Sequence, residues 1–405
     1  MNQDNIFYYL DFQSTTPMDK RVIETVHKAM QENYGNPHST SHPIGWKAFD
    51  AVETARYKIA KLINANTEDI IFTSGATESN NLAIKGVAHF YQQKGKHIIT
   101  MSTEHKCVLE SCHFLQTEGF EITYLDPEEN GLLDLKKLKK AIRKDTILIS
   151  IMGVNNETGV IQNLKEIGRI ANKNNILFHT DCAQAYGKIP LDVEEMHIDL
   201  MSISSHKIYG PKGIGALYVR QKPKVRLVPL IHGGGQEKGL RSGTLSVPLC
   251  VGFGKAAEIC SKEMNKDFKH ISKLSDYFLS KILKLEDVYL NGDRNHKIPG
   301  CNNISVLHVE GESLLLAVQN FCISTGSACN SGNLQPSYVI SKMRKSDYYA
   351  HSAMRIGFGR MTTMKEVKIF TNKFIEAINN LRAISPLWEM KKQGIDINSV
   401  KWTED

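Results

Sequence analysis

The sequence contains no apolar run long enough to cross a membrane. Its longest, such as Ile147 to Val154, are strand-length and well short of the ~20 residues a bilayer span needs. The N-terminus carries Asp4 and Asp11 around Ile6 to Leu10, which fits neither a secretory signal nor an Arg-rich, acid-poor transit peptide. The expectation is a cytosolic protein or an already processed organellar one, with no membrane partner. Eight cysteines are scattered without a C-x-x-C pair, which argues against a disulfide framework and a zinc site and leaves no metal site to predict. No dense field of one charge exists either: 50 Lys and Arg face 43 Asp and Glu, a net +7. The most basic stretch, Lys136 to Lys144, is spaced around Leu135, Leu138 and Ile142 as a solvated amphipathic helix, so no direct nucleic-acid partner is expected. Internal repeats and low-complexity tracts are absent as well.

What is there is a chain of 405 residues, 41% hydrophobic, too long for one compact core of usual size. From about residue 70 to 221, runs rich in β-branched residues alternate with helical patterns. The strand-like runs are Ile70 to Thr73, His97 to Met101, Glu121 to Leu125, Ile147 to Val154, Ile176 to Thr180, Leu200 to Ser204 and Gly215 to Arg220. Helical spacing fills Glu78 to Gln93 and Leu164 to Asn174 between them. This alternation predicts an α/β fold with a mostly parallel sheet covered on both faces. After the Gly-rich segment His232 to Gly243 the pattern changes to long helices, roughly Leu249 to Leu285, then strands near Asn303 to Leu307 and Met354 to Phe358. Two domains are expected: a large α/β domain over residues 16–260, and a smaller α+β domain from 1–15 and 261–405.

In open α/β sheets ligands bind beyond the carboxyl ends of the strands, and chemistry-bearing residues gather there in this chain. Thr73-Ser74-Gly75-Ala76-Thr77 follows one strand and opens a helix, a setting that suits a phosphate and equally suits an ordinary cap. His105, then Asn155 and Asn156, then Asp181 with Gln184 follow later strands. Ser202 to Lys207 ends another, leading into Gly210-Pro211-Lys212-Gly213. A lone lysine is usually a surface residue. Lys207 stands just past a strand end, in a chain with an Asp at the neighbouring strand end. That combination is what pyridoxal phosphate requires: an amine for a Schiff base, a carboxylate to keep the pyridine nitrogen protonated, and a phosphate cup. Separately, Cys329 lies within Ser324 to Asn333, small and polar with no apolar period. That setting predicts an exposed loop and makes Cys329 a candidate nucleophile.

Taken together these residues resemble the cysteine desulfurases of housekeeping iron–sulfur cluster assembly (the IscS type, in the NifS/IscS family). These are fold-type I pyridoxal-phosphate enzymes of the class-V aminotransferase family, with an aspartate-aminotransferase-like fold. The resemblance covers nearly the whole chain. Its markers are Leu10-Asp11 with Thr15-Thr16-Pro17, Thr73 to Glu78, Glu104-His105-Lys106, Val154 to Glu157, Ser205 to Gly213, Gly233 to Thr244, Gly326 to Cys329 and Pro336-Ser337-Tyr338.

The resemblance implies that Lys207 holds the cofactor, that Asp181 and Gln184 contact the pyridine nitrogen and ring hydroxyl, and that His105 stacks on the ring. It places Gly75, Ala76, Thr77, Ser204 and His206 at the phosphate, with Thr244 reaching it from the partner subunit of a homodimer. Asn156 and Arg355 would hold the carboxylate of L-cysteine, and Cys329 would receive its sulfur as a persulfide. The implied partners are a cluster scaffold protein and other sulfur acceptors. Departures from the usual pattern fall at Gln13-Ser14, Thr40, Thr158, Cys182 and Asn330 to Asn333. A selenocysteine lyase or an aminotransferase of the same fold, or a silent binding scaffold, remain alternatives. Two of the three tryptophans lie in the tail, after a helical pattern from Lys365 to Leu381 that stops at Pro386. Trp388 either packs the tail or docks a partner, and Trp402 is expected to dock one.

Overall fold

The computed structural model describes residues 7–325 and 336–394. Cys329, Asn330 to Asn333 and Trp402 lie outside them. In chain order the elements are β1 (Tyr8–Tyr9), α1 (Lys20–Glu32), α2 (Pro43–Lys61), β2 (Ile70–Thr73), α3 (Ala76–Tyr91), β3 (His97–Met101), α4 (Lys106–Thr117), β4 (Glu121–Leu125) and α5 (Leu135–Ala141). Then come β5 (Thr146–Ser150), α6 (Leu164–Lys173), β6 (Leu177–Asp181), β7 (Leu200–Ser204), β8 (Gly215–Val219), α7 (Val247–Ile282), β9 (Val288–Leu290), β10 (Cys301–Val306) and α8 (Gly311–Ala317). The last are β11 (Phe321–Cys322), β12 (Ser324–Thr325), α9 (Tyr338–Arg344), α10 (Asp347–His351), β13 (Ala353–Gly357), α11 (Met364–Ala383) and α12 (Pro386–Lys392).

The main sheet has seven strands in the order β2-β8-β7-β6-β5-β3-β4, and only β8 runs against its neighbours. Because successive strand residues point to opposite faces, each strand feeds two cores. Ile70, Phe72, Ile99, Ile149, Met201 and Ile203 enter a core with α1, α2, α6 and the first half of α7. Ile71, Ile98, Leu148, Leu200 and Leu217 enter another with α3 and α4. The continuous apolar strands of the sequence are thus explained by burial on both faces. The parallel run also gathers the carboxyl ends of β2, β3, β5, β6 and β7 along one edge. That is the fold expected from the alternation.

A four-stranded sheet, β12-β13-β10-β9, forms a separate body. Its core stacks Phe278 on Phe370 at 5.6 Å between centroids and adds Phe358 and Phe374, with Leu10 joining from the N-terminal segment. The expected long helices are one helix, α7, of 36 residues. Spanning ~54 Å at 1.5 Å per residue, it contributes Cys250 to Cys260 to the large core and Leu274 to Ile282 to the small one.

Several expected boundaries move. The Ile147 to Val154 strand is shorter: pairing with β3 ends at Ser150 and Met152 N–H donates to Glu104 Oε1 (2.8 Å), while Ile151 and Gly153 still donate to the His179 and Asp181 carbonyls of β6 (3.1 and 2.8 Å). The basic helix stops at Ala141, with Asp134 as its cap. Pro386 does not end the last long helix, which stops at Ala383. It opens α12 from the first turn, where its missing N–H costs nothing. Among the described residues no helix is long and apolar enough to cross a membrane.

Candidate active site

A cavity of about 420 Å³ opens at the carboxyl ends of the strands. It is lined by Gly75, Ala76, Thr77, His105, Asn156, Asp181, Gln184, Ser204, His206, Lys207 and Arg355, so all but two of the expected site residues meet there. Thr244 is exposed and does not line the cavity of its own chain, and Cys329 lies outside the described residues.

At the end of β2 the chain turns straight into α3. Ser79 N–H closes the first helical bond onto Gly75 O (3.1 Å), so the amides of Ala76, Thr77 and Glu78 have no intrahelical partner and face an anion-binding corner. The neighbouring antiparallel strand makes room for this turn. A Cβ on Gly215 would lie 2.5 Å from Ile203 O and 2.7 Å from Gly75 Cα, closer than atoms approach.

Lys207 sits in a single turn after β7. Its Nζ donates to the carbonyls of Gln13 and Ser14, both at 2.7 Å. The turn is pinned from the N-terminal segment, since Thr16 donates to His206 O through both its N–H (3.0 Å) and its hydroxyl (2.9 Å). Asp181 ends β6, where Asn80 Nδ2 donates to its Oδ2 (2.7 Å) and Ala183 N–H to its Oδ1 (2.9 Å). Gln184 donates to Gln13 O (2.8 Å) and accepts from Lys188 Nζ (2.6 Å).

His105 caps α4, its Nδ1 taking the Cys107 N–H (3.2 Å) and lying 3.0 Å from Cys107 Sγ. Burial holds His105 below the ordinary histidine value against the pull of Asp181, with Lys207 adding to the lowering. The ring is neutral at pH 7 and, with Nδ1 accepting, carries its proton on Nε2. His206 is pushed down to about 4 by burial and by Lys207 and Lys212. The Cys107 thiol is raised to about 12, first by burial and then by Asp181, so it stays protonated.

Arg355 comes from the small body, on β13, and is 1% exposed. It donates through Nη2 to Asp11 Oδ1 (3.0 Å) and Ser14 Oγ (2.5 Å), and through Nη1 to Asn156 O (3.2 Å). Arg355 Nε and Asn156 Oδ1 are buried without a partner. Unpaired buried polar atoms are costly and rare, so two on one cavity wall mark a place built for a polar ligand.

Sequence reasoning missed Ser14, Cys107, Asn80 and Asp11 as parts of this site. Cys107 sits two positions past His105, and Asn80 one turn past Thr77, so helical proximity to flagged residues was the available signal. Asp11 and Ser14 meet Arg355 only through the tertiary fold.

The pyridoxal-phosphate requirements are met by these observations. The cavity offers an amine, a carboxylate held by two donors, a neutral imidazole, an anion corner at a helix N-terminus and orphaned polar atoms. The family model described as aminotransferase class-V matches residues 8–370. The chain is 56% identical over 395 residues to a mitochondrial cysteine desulfurase of Saccharomyces cerevisiae, covering 98% of this chain and 80% of that protein. It is 55% identical over 403 residues to the cysteine desulfurase IscS of Rickettsia massiliae, covering 99% and 98%. Among solved structures, a NifS-like protein superposes with a TM-score of 0.86 at 37% identity, covering 93% of this chain and all of that one. A structure titled SspA in complex with cysteine superposes with a TM-score of 0.79 at 39% identity, covering 88% and 100%.

Proposed function

The chain belongs to the class-V aminotransferase family, on its cysteine desulfurase branch, and from that premise we propose that it converts L-cysteine to L-alanine and keeps the sulfur as a persulfide on Cys329. The observation that carries this reading is the joining of two sets of groups in one cavity. Lys207, Asp181, His105 and the α3 N-terminus suit pyridoxal phosphate, and the buried Arg355 and Asn156 suit an amino-acid carboxylate.

When bound, the cofactor supplies an electron sink for negative charge at the substrate Cα. Asp181 holds the proton on the pyridine nitrogen, and Asn80 and Ala183 keep that carboxylate in place. The amides of Ala76 and Thr77, with Ser204 and His206, hold the phosphate, and Gln184 faces the ring hydroxyl. Arg355 and Asn156 orient the substrate through its carboxylate. Lys207 Nζ takes the Cα proton, and neutral His105 moves protons in later steps from Nε2. The Cys329 thiolate attacks the substrate sulfur; the Cβ–S bond breaks with its electron pair left on the carbon side, which is protonated to give alanine, and a new S–S bond forms on the enzyme.

Thr244, exposed and away from its own cavity, fits a homodimer in which each chain completes the phosphate site of the other. The persulfide then serves an iron–sulfur scaffold protein and other acceptors. Relatives named as mitochondrial and as bacterial support a mitochondrial matrix or a bacterial cytoplasm as the compartment. The test is Cys329→Ser incubated with L-cysteine. It should bind cysteine with an unchanged spectral response but yield neither persulfide by mass mapping nor stoichiometric alanine. A persulfide mapped mainly to another cysteine would overturn the assignment of Cys329.

A further inference from the structure

We propose that Ser14 is a substrate-binding residue, its hydroxyl donating to the substrate carboxylate beside the Arg355 guanidinium. The proposal rests on the reading that Arg355 receives that carboxylate.

Ser14 lines the cavity and is fixed at both ends of the reaction field. Its backbone carbonyl accepts from Lys207 Nζ (2.7 Å), and its side-chain oxygen accepts from Arg355 Nη2 (2.5 Å). It therefore stands between the amine where the chemistry occurs and the guanidinium that orients the substrate. A hydroxyl that accepts from an N–H keeps its own proton for a different partner. Among the described residues no acceptor takes that proton. The nearby Arg355 Nε is buried and equally unpartnered. Asp11 and Ser14 both occupy Nη2, while Asn156 O takes Nη1. The guanidinium is thus locked in one orientation, with Nε, the second Nη1 hydrogen and the Ser14 O–H as the donors left over.

A carboxylate has two oxygens and about four lone-pair sites, so it can take donors from both groups at once. Alanine at this position would keep the backbone bond to Lys207 and remove only the side-chain donor. The departure of Gln13-Ser14 from the usual pattern of similar proteins thus has a chemical consequence on the carboxylate wall.

The experiment compares wild type, Ser14→Ala, Ser14→Thr and Arg355→Ala with L-cysteine and with L-cysteine methyl ester, which lacks the charged acceptor. Ser14→Ala should raise the KM for L-cysteine about tenfold, the loss of one hydrogen bond to a charged group, with kcat within about twofold. Its KM for the ester should match that of wild type, and Ser14→Thr, which keeps the hydroxyl, should restore the KM for cysteine. A KM for cysteine unchanged in Ser14→Ala while Arg355→Ala raises it would overturn the role of Ser14 alone. An equal rise for cysteine and ester would also overturn it, since that is the mark of a structural residue. If Arg355→Ala leaves the KM for cysteine unchanged, the carboxylate reading itself fails, and Ser14 with it.

Discussion

Asp181 and Arg355 line the same cavity, yet they are held differently. Both oxygens of Asp181 are taken, by Asn80 Nδ2 and Ala183 N–H, whereas Arg355 keeps its Nε buried without a partner. Lys207 resembles Asp181, with Nζ shared between two carbonyls. Asn156 resembles Arg355, with Oδ1 unsatisfied. The charged groups assigned to the cofactor ring are paired before anything binds, although the α3 amides at the phosphate corner are not. The part of the wall assigned to a substrate that comes and goes is left short of partners. A transient carboxylate can accept from Arg355 Nε at each turnover, so part of its binding energy is relief of that deficit, whereas Asn156 would meet a carboxylate through its Nδ2 donor and not through Oδ1.

The most severe way to break this contrast is Lys207→Ala. The residue sits in a turn beyond the sheet and not in a core, so the fold should persist by circular dichroism. Turnover to alanine should fall by about 10³-fold or more, the loss of a positioned base together with the covalent anchor. Turnover within tenfold of wild type would remove Lys207 from the chemistry.

The paired groups and those left short of partners should also fail differently in kinetics. Asp181→Ala should lower kcat by about 10²-fold, because the charge proposed to keep the ring nitrogen protonated would act on the transition state. Cα-proton exchange into deuterated solvent should slow with it. Arg355→Ala should act mainly through KM. If Asp181→Ala raised KM and left exchange untouched, the two parts would not be functionally distinct.

The same division governs what the sequence disclosed. Lys207, Asp181, His105 and the Thr73 to Thr77 turn each follow a strand directly. The continuous β-branched runs that locate strand ends therefore locate these residues as well. Arg355 and Thr244 were named only through family resemblance, and Asn156, flagged after a strand, took its carboxylate role from that resemblance. Asp11 and Ser14 meet Arg355 across more than 340 residues of chain, a pairing no local pattern encodes. Apolar runs also misplaced ends: Ile151 to Val154 continues the strand-like run after pairing with β3 has stopped, because burial beside the site asks for the same residue types. Pro386 was read as a stop, although the same ring constraint permits a first helical turn.

A gentler probe sharpens the contrast from beneath the substrate side, at Glu157, next to Asn156. Its carboxyl accepts from Ser337 Oγ at 2.5 Å and is 2% exposed. Burial raises it from the ordinary 4.5 to about 7, against Ser337 and Arg355, which lower it. The folded chain therefore keeps a proton that the unfolded chain releases between those values. The stability this proton confers is full below 4.5 and is lost as the pH rises through 7. Glu157→Gln, permanently neutral, should gain on wild type by on the order of 2 kcal/mol between pH 5 and pH 8.5. Denaturant midpoints at the two pH values measure this, and a constant difference between the proteins would mean that Glu157 is already ionised at pH 5.

The smallest effect belongs to Trp388, which separates stability from chemistry altogether. It sits on α12, its ring 5.3 Å from that of His308, with the Arg382 guanidinium 4.4 Å and the Lys391 ammonium 4.8 Å from its centroid. Lys391 also pairs with Asp287, so the indole lies inside a network that ties α12 to the small body. These contacts favour packing over docking for Trp388. Cation–π contacts of partly exposed groups are worth roughly 0.5–1 kcal/mol each, and the indole adds apolar area. Trp388→Ala should therefore cost about 1–2 kcal/mol of stability, while kcat and KM for cysteine stay at wild-type values because the residue is absent from the cavity wall. Thermal unfolding and alanine production measured on the same sample test both halves. Unchanged unfolding with weakened capture of a sulfur-accepting scaffold would move Trp388 from packing to docking, and a fall in kcat would show that the tail reaches the site.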